Sequence, residues 1–147
     1  MIWSEIYVAP CGIWLPMLHP DLSEVMYITE GQFVGCIIFD ANDGAGCHTY
    51  SAGGVVAVPA HTLHSAENPN CTPTTAMQAL SGGDRFQQIA IISALFAMSP
   101  SSVEYGMNLT AAQVINSAAS IMPTFTVNQA CLERCGLTAN ASAPAAG

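Results

Sequence analysis

His19, Glu24 and His64 are the residues of this chain whose types and spacing could do chemistry. Imidazole and carboxylate donors together suit manganese, iron, copper or zinc. Glu24 follows His19 by five positions, whereas His64 arrives on a later segment. Such donors meet only if the fold brings separate segments together. A barrel does this, because alternate side chains of each strand point inward.

The elements that must position these residues are short. Candidate strands are Glu5–Ala9, Glu24–Thr29, Phe33–Phe39, Gly54–Pro59, Thr62–Ala66 and Thr74–Leu80, separated by turn signals such as Asp40-Ala41-Asn42-Asp43-Gly44. After Gly82-Gly83 the pattern becomes helical, over Ser101–Met107 and Thr110–Ala119. Thr110 with Gln113 fits a capping box ahead of Val114 and Ile115. A further short helix is expected over 128–135, carrying Cys131 and Cys135. Many short strands followed by helices predict a mainly β fold, a barrel or jelly roll with C-terminal helices. Residues 1–137 read as one domain, and the small-residue tail 138–147 as a mobile appendage.

Composition limits the partners. Ten acidic residues face only two basic ones, Arg85 and Arg134, and the net charge of -8 repels phosphate backbones and anionic lipid surfaces. No nucleic acid is expected. Nor is membrane insertion, because the best apolar stretch, Ile89–Met98, falls short of the roughly 18 residues a spanning helix needs. Charged residues make up 8% of the chain, against roughly 25% in an average soluble domain. Burial of surface against further copies of the chain explains this best. The apolar segment Phe86–Met98 is read as helical and as a natural contact element.

Six cysteines, Cys11, Cys36, Cys47, Cys71, Cys131 and Cys135, show no CxxC pairing and predict up to three disulfides in an oxidising compartment. Spacing leaves the connectivity open. A cross-strand Cys36–Cys47 bridge is one option, because the two lie about equally far from the Asp40–Gly44 turn. Sequons at Asn70, Asn108 and Asn140 point to a secreted glycoprotein. Met1–Glu5 lacks the features of a signal peptide, so secretion implies a leader outside this sequence.

The run Pro16-Met17-Leu18-His19-Pro20-Asp21-Leu22-Ser23-Glu24, continuing to Gly31, resembles the first metal-binding motif of the germin-like proteins in the cupin superfamily. The run Gly53 to Asn68, with Pro59 and His64, resembles the second. The resemblance covers residues 4–120. It implies a cupin barrel that assembles into dimers and often trimers of dimers. It also implies a manganese site of three histidines and one glutamate, of which His19, Glu24 and His64 would be three ligands.

Some members of that family are oxalate oxidases or superoxide dismutases, and many others serve as wall or storage proteins. Met17 stands where the first motif histidine is usual, and His61 where a glycine is usual. Met17 is read first as an apolar plug in the barrel, with a ligand for a soft ion such as copper(I) as the alternative. His61 is read first as a loop surface residue, with a substitute imidazole as the alternative. The family's N-terminal strand region and its disulfide are expected to be missing. The favoured function is an extracellular, self-assembling structural glycoprotein with a degenerate metal site. The alternative is a manganese-dependent oxidoreductase. The cofactor is manganese, another divalent metal, or none if the polar groups now bond one another.

Overall fold

The computed structural model describes residues 1–40, 44–82, 88–122 and 124–138. Two antiparallel sheets face each other. One has the order β1 (Ile2–Val8), β8 (Thr74–Ser81), β3 (Ser23–Glu30), β6 (Val55–Val58). The other runs β10 (Phe125–Val127), β2 (Gly12–Leu18), β7 (Leu63–Glu67), β4 (Gln32–Ile38), β5 (Gly46–Ser51), with β9 (Ile89–Ala90) also paired to β2. This is the mainly β barrel that the strand pattern predicts.

Alternation fixes each strand's inner face. In β3, Glu24, Met26 and Ile28 are buried while Val25, Tyr27 and Thr29 are exposed. β6 buries Val56 and Val58, and β4 buries Phe33, Gly35 and Ile37. Met26, Ile28, Phe33, Ile37, Val56 and Val58 form the core between the sheets together with Ile6, Val8, Ala66 and Ala76. Gly31 turns β3 into β4 at φ +75, and a Cβ there would stand 2.7 Å from Thr74 Oγ1, so the tight corner requires glycine.

Several boundaries move from expectation. β2 and β5 are strands that the residue pattern does not announce. β2 contains Pro16 and a register irregularity between Trp14 and Met17, because a proline cannot donate to the ladder. The segment read as helical over Phe86–Met98 is instead partly strand: β9 precedes a helix α1 limited to Ile91–Phe96, and residues 86 and 87 lie outside the described residues. So do residues 41–43 of the expected turn, and the expected tail from 139 onward.

Helices α2 (Pro100–Met107) and α3 (Ala111–Ala119) pack together around Val103 and Val114. The capping box forms as expected, with Gln113 N donating to Thr110 Oγ1 and Thr110 N donating to Gln113 Oε1. Among the described residues no helix is long and apolar enough to cross a membrane.

Three disulfides are present: Cys11–Cys131, Cys36–Cys47 and Cys71–Cys135. Cys36 and Cys47 are directly opposite each other on β4 and β5, as the turn spacing allowed. The other two fasten α4 (Gln129–Cys135) to the barrel. Asn128 caps that helix by accepting from Cys131 N, and donates its side-chain amide to Glu67 Oε1 at 3.1 Å.

Candidate metal centre

Two sheets and three strands deliver the candidate ligands. His19 sits just past the end of β2, two positions beyond Met17 and therefore on the same face. The chain then crosses to the opposite sheet, where Glu24 takes the second position of β3 and points inward. His64 occupies an inward position of β7, next to β2. All three are buried, and one donor atom from each lies within 4.8 Å of the others.

Glu24 stands between the imidazoles. Its Oε2 is 3.3 Å from His19 Nε2 and 3.6 Å from His64 Nε2, and the two rings are 5.2 Å apart. Donors held about 2.0–2.2 Å from one ion stand roughly 3.0–3.4 Å from each other. The two Glu24 separations, 3.3 and 3.6 Å, are close to that range.

The tautomer of His64 is fixed by a carbonyl. Its Nδ1 lies 2.9 Å from Thr62 O, which can only accept, so Nδ1 carries the proton and Nε2 presents its lone pair to Glu24's side of the cluster. Burial pushes the His64 pKa below the ordinary 6.5, against the opposing pull of the Thr62 carbonyl and Glu24. The ring is therefore neutral at physiological pH, the form a metal requires. Glu24 is held from the other side by Gln78, whose Nε2 donates to Oε1. Gln78 Oε1 in turn accepts from Ser4 Oγ at 2.9 Å.

The cluster opens on a cavity of about 970 Å³ between β1, β2, β8 and β10. Its walls are mainly apolar and include Ile6, Val8, Trp14, Leu80, Phe125 and Val127. Among the described lining residues there is no lysine or arginine. Met17 lines the same cavity and is 3% exposed.

His61 is not brought to this site. It is exposed and takes a left-handed φ of 64, and its backbone N–H donates to His19 O at 2.8 Å. Its ring is not among the donor atoms that gather with those of His19, Glu24 and His64, so the structure does not bring it in as a substitute imidazole. Gln78 and Ser4 were not singled out by the residue pattern. The available signal was a polar residue in phase with the inward Thr74, Ala76 and Leu80 of an otherwise apolar face.

Residues 1–115 match the family described as Cupin. This chain is a cupin. Two curated relatives match over 134 residues: Spherulin-1A of Physarum polycephalum at 27% identity and Spherulin-1B of the same organism at 24%. Each match covers 90% of this cupin and 54% of the relative, so the chain spans about half the length of the curated relatives it matches. Among solved structures, oxalate decarboxylase from Bacillus subtilis superposes with a TM-score of 0.72 at 18% identity, covering 85% of this chain and 32% of that one. A variant of that enzyme, W96F, superposes with a TM-score of 0.73 over 86% of this chain and 33% of its own. At that identity the likeness establishes the cupin fold.

Proposed function

We propose that this cupin is a secreted, germin-like protein that holds a transition-metal ion on His19, Glu24 and His64 and assembles with further copies of itself. The single observation that carries the metal reading is Glu24 Oε2, which lies within 3.6 Å of two buried imidazole nitrogens. A neutral His64 with its proton directed at Thr62 O is prepared to ligate rather than to pair with a carboxylate. The Bacillus subtilis enzyme of the same fold is described by its Mn(II) centers, which supports the same use of the barrel here.

Secretion is supported by three disulfides among six cysteines, with none left free. Self-assembly is supported by the outer face of the four-stranded sheet. Trp3, Ala79, Val25 and Ala57 form one cross-strand row, and Met77, Tyr27 and Val55 continue the next, with Glu5 at its β1 edge. Trp3 is 66% exposed, and a continuous apolar surface of this kind marks a contact region.

An oxidoreductase is the second reading, favoured by the cavity that adjoins the cluster. A redox-active ion there would supply electron transfer and a positive charge for an anionic substrate. His19, Glu24 and His64 would hold it, Gln78 would aim Glu24, and the apolar wall would limit water. Elemental mass spectrometry on protein isolated without added metal tests the centre. About one transition-metal ion per chain, lost in His64→Ala, is the expected result. A wild-type protein that stays metal-free after exposure to manganese, zinc and copper would overturn it. Light scattering on the same sample tests assembly, and a monomer at all concentrations would refute it.

A further inference from the structure

We infer that the centre is selective for copper and that the Met17 thioether is its fourth donor. The inference rests on the proposed metal centre. Met17 on β2 is directly opposite His64 on β7. Residues paired in this way across an antiparallel ladder project from the same face, with Cβ atoms about 4.5–5.5 Å apart. His64 projects into the cluster, so Met17 does too. Met17 is also two positions from His19, on the same face of the same segment, which brackets it between the two imidazoles.

Two further observations separate Met17 from core filler. The chain has seven methionines, and among the residues that line the cavity with His19, Glu24 and His64 Met17 is the methionine present. Met26, by contrast, packs inside the apolar core. The side chain is also flexible enough to bring sulfur toward an ion from a fixed Cβ.

The donor set decides the ion. Two imidazole nitrogens, one carboxylate oxygen and one thioether sulfur make a mixed, partly soft site. Manganese(II) sits at the weak end of the divalent affinity order and favours oxygen donors, whereas copper sits at the strong end. Copper(I) in particular is selected by thioether sulfur. Sulfur is neutral, so it adds a donor without burying a further charge.

The test uses the intact, disulfide-bonded protein. Copper(I) is titrated in ascorbate, which leaves disulfides intact, against a chromophoric chelator, and zinc(II) is titrated separately. The variants are Met17→Leu, which conserves volume and tests the sulfur, and Met17→His. Met17→Leu should weaken copper(I) binding at least about tenfold and change zinc(II) binding less than about threefold. Met17→His should shift preference toward manganese(II). X-ray absorption on copper(I)-loaded wild type should show a sulfur scatterer that Met17→Leu lacks.

Unchanged copper(I) affinity in Met17→Leu, or a copper shell of nitrogen and oxygen alone, overturns the inference and leaves the metal centre standing. A wild type that binds neither zinc(II) nor copper(I) overturns both. If Met17→Leu fails to fold, the absorption spectrum of the wild type decides, because every cysteine sulfur described is committed to a disulfide.

Discussion

Gln78 holds Glu24 from behind, donating its side-chain amide to Oε1 and leaving Oε2 to the imidazoles. The contact crosses from β8 to β3, and Ser4 on β1 steadies the far end of the amide. Partners of this kind fix a ligand's orientation, and losing one lowers metal affinity by about 10–100-fold. Gln78→Leu should show a loss of that size in a zinc(II) titration, with an unchanged circular dichroism spectrum. Full affinity in this variant would mean that Glu24 is positioned without the amide.

Glu24→Gln keeps the shape and removes the charge. The carboxylate is the anionic member of the cluster and lies between both histidines. Its loss should cost more than the about 100-fold at the upper end for an outer partner. The same titration measures it, and a loss smaller than that of Gln78→Leu would argue against ligation by Glu24.

The metal-free protein should lose stability in mild acid. Burial sets the folded pKa of His64 below 6.5, the value the residue regains on unfolding. Between the two values the unfolded chain binds more protons than the folded one, and stability rises with pH wherever that holds. His64's contribution is therefore fully present above 6.5 and is lost as pH falls through that value toward the folded pKa. Urea midpoints at about pH 7.5 and about pH 5.5 should differ in wild type, and the difference should shrink in His64→Gln. An equal difference in both would place the acid sensitivity elsewhere.

The disulfides should differ in their contribution. Cys11–Cys131 spans 120 positions and Cys36–Cys47 spans 11. Loop closure in the unfolded chain gives about 3 kcal/mol for a loop of about 15 residues and about 4.7 kcal/mol for about 100. The double variant Cys11→Ala with Cys131→Ala should thus be less stable than Cys36→Ala with Cys47→Ala by about 1–2 kcal/mol. Non-reducing urea unfolding checks the order. Reversed values would show that the Cys36–Cys47 ribbon matters more than the tether of α4.

Of the three sequons, Asn108 should carry a glycan and Asn70 should not. Asn108 is exposed at the end of α2 in a left-handed conformation. The Asn70 amide donates to Gln32 O and to Asn68 Oδ1, and accepts from Gln32 Nε2. A glycan on that nitrogen would break the network. Intact mass of protein secreted from a eukaryotic host should fall in Asn108→Gln and stay constant in Asn70→Gln. Asn140 lies outside the described residues.

The sequence by itself determined the barrel, because alternation in Glu24–Thr29 and Thr74–Leu80 and the turn residues between strands are local properties. It also determined the α3 capping box and the identity of the three candidate ligands. β2 was not legible, since Pro16 and the adjoining irregularity break the alternation by which a strand is recognised. The disulfide map needed the fold, because Cys11 and Cys131 meet only after the chain has closed the barrel. Two ligand questions were also decided by tertiary structure alone. His61 and Met17 are both only candidate donors as letters, but the fold leaves His61 exposed at the turn before β7, whereas strand register sets Met17 opposite His64. Gln78 became part of the site for the same reason: β8 and β3 are neighbours in one sheet but distant in sequence, and no local pattern encodes which distant carboxylate an amide will meet.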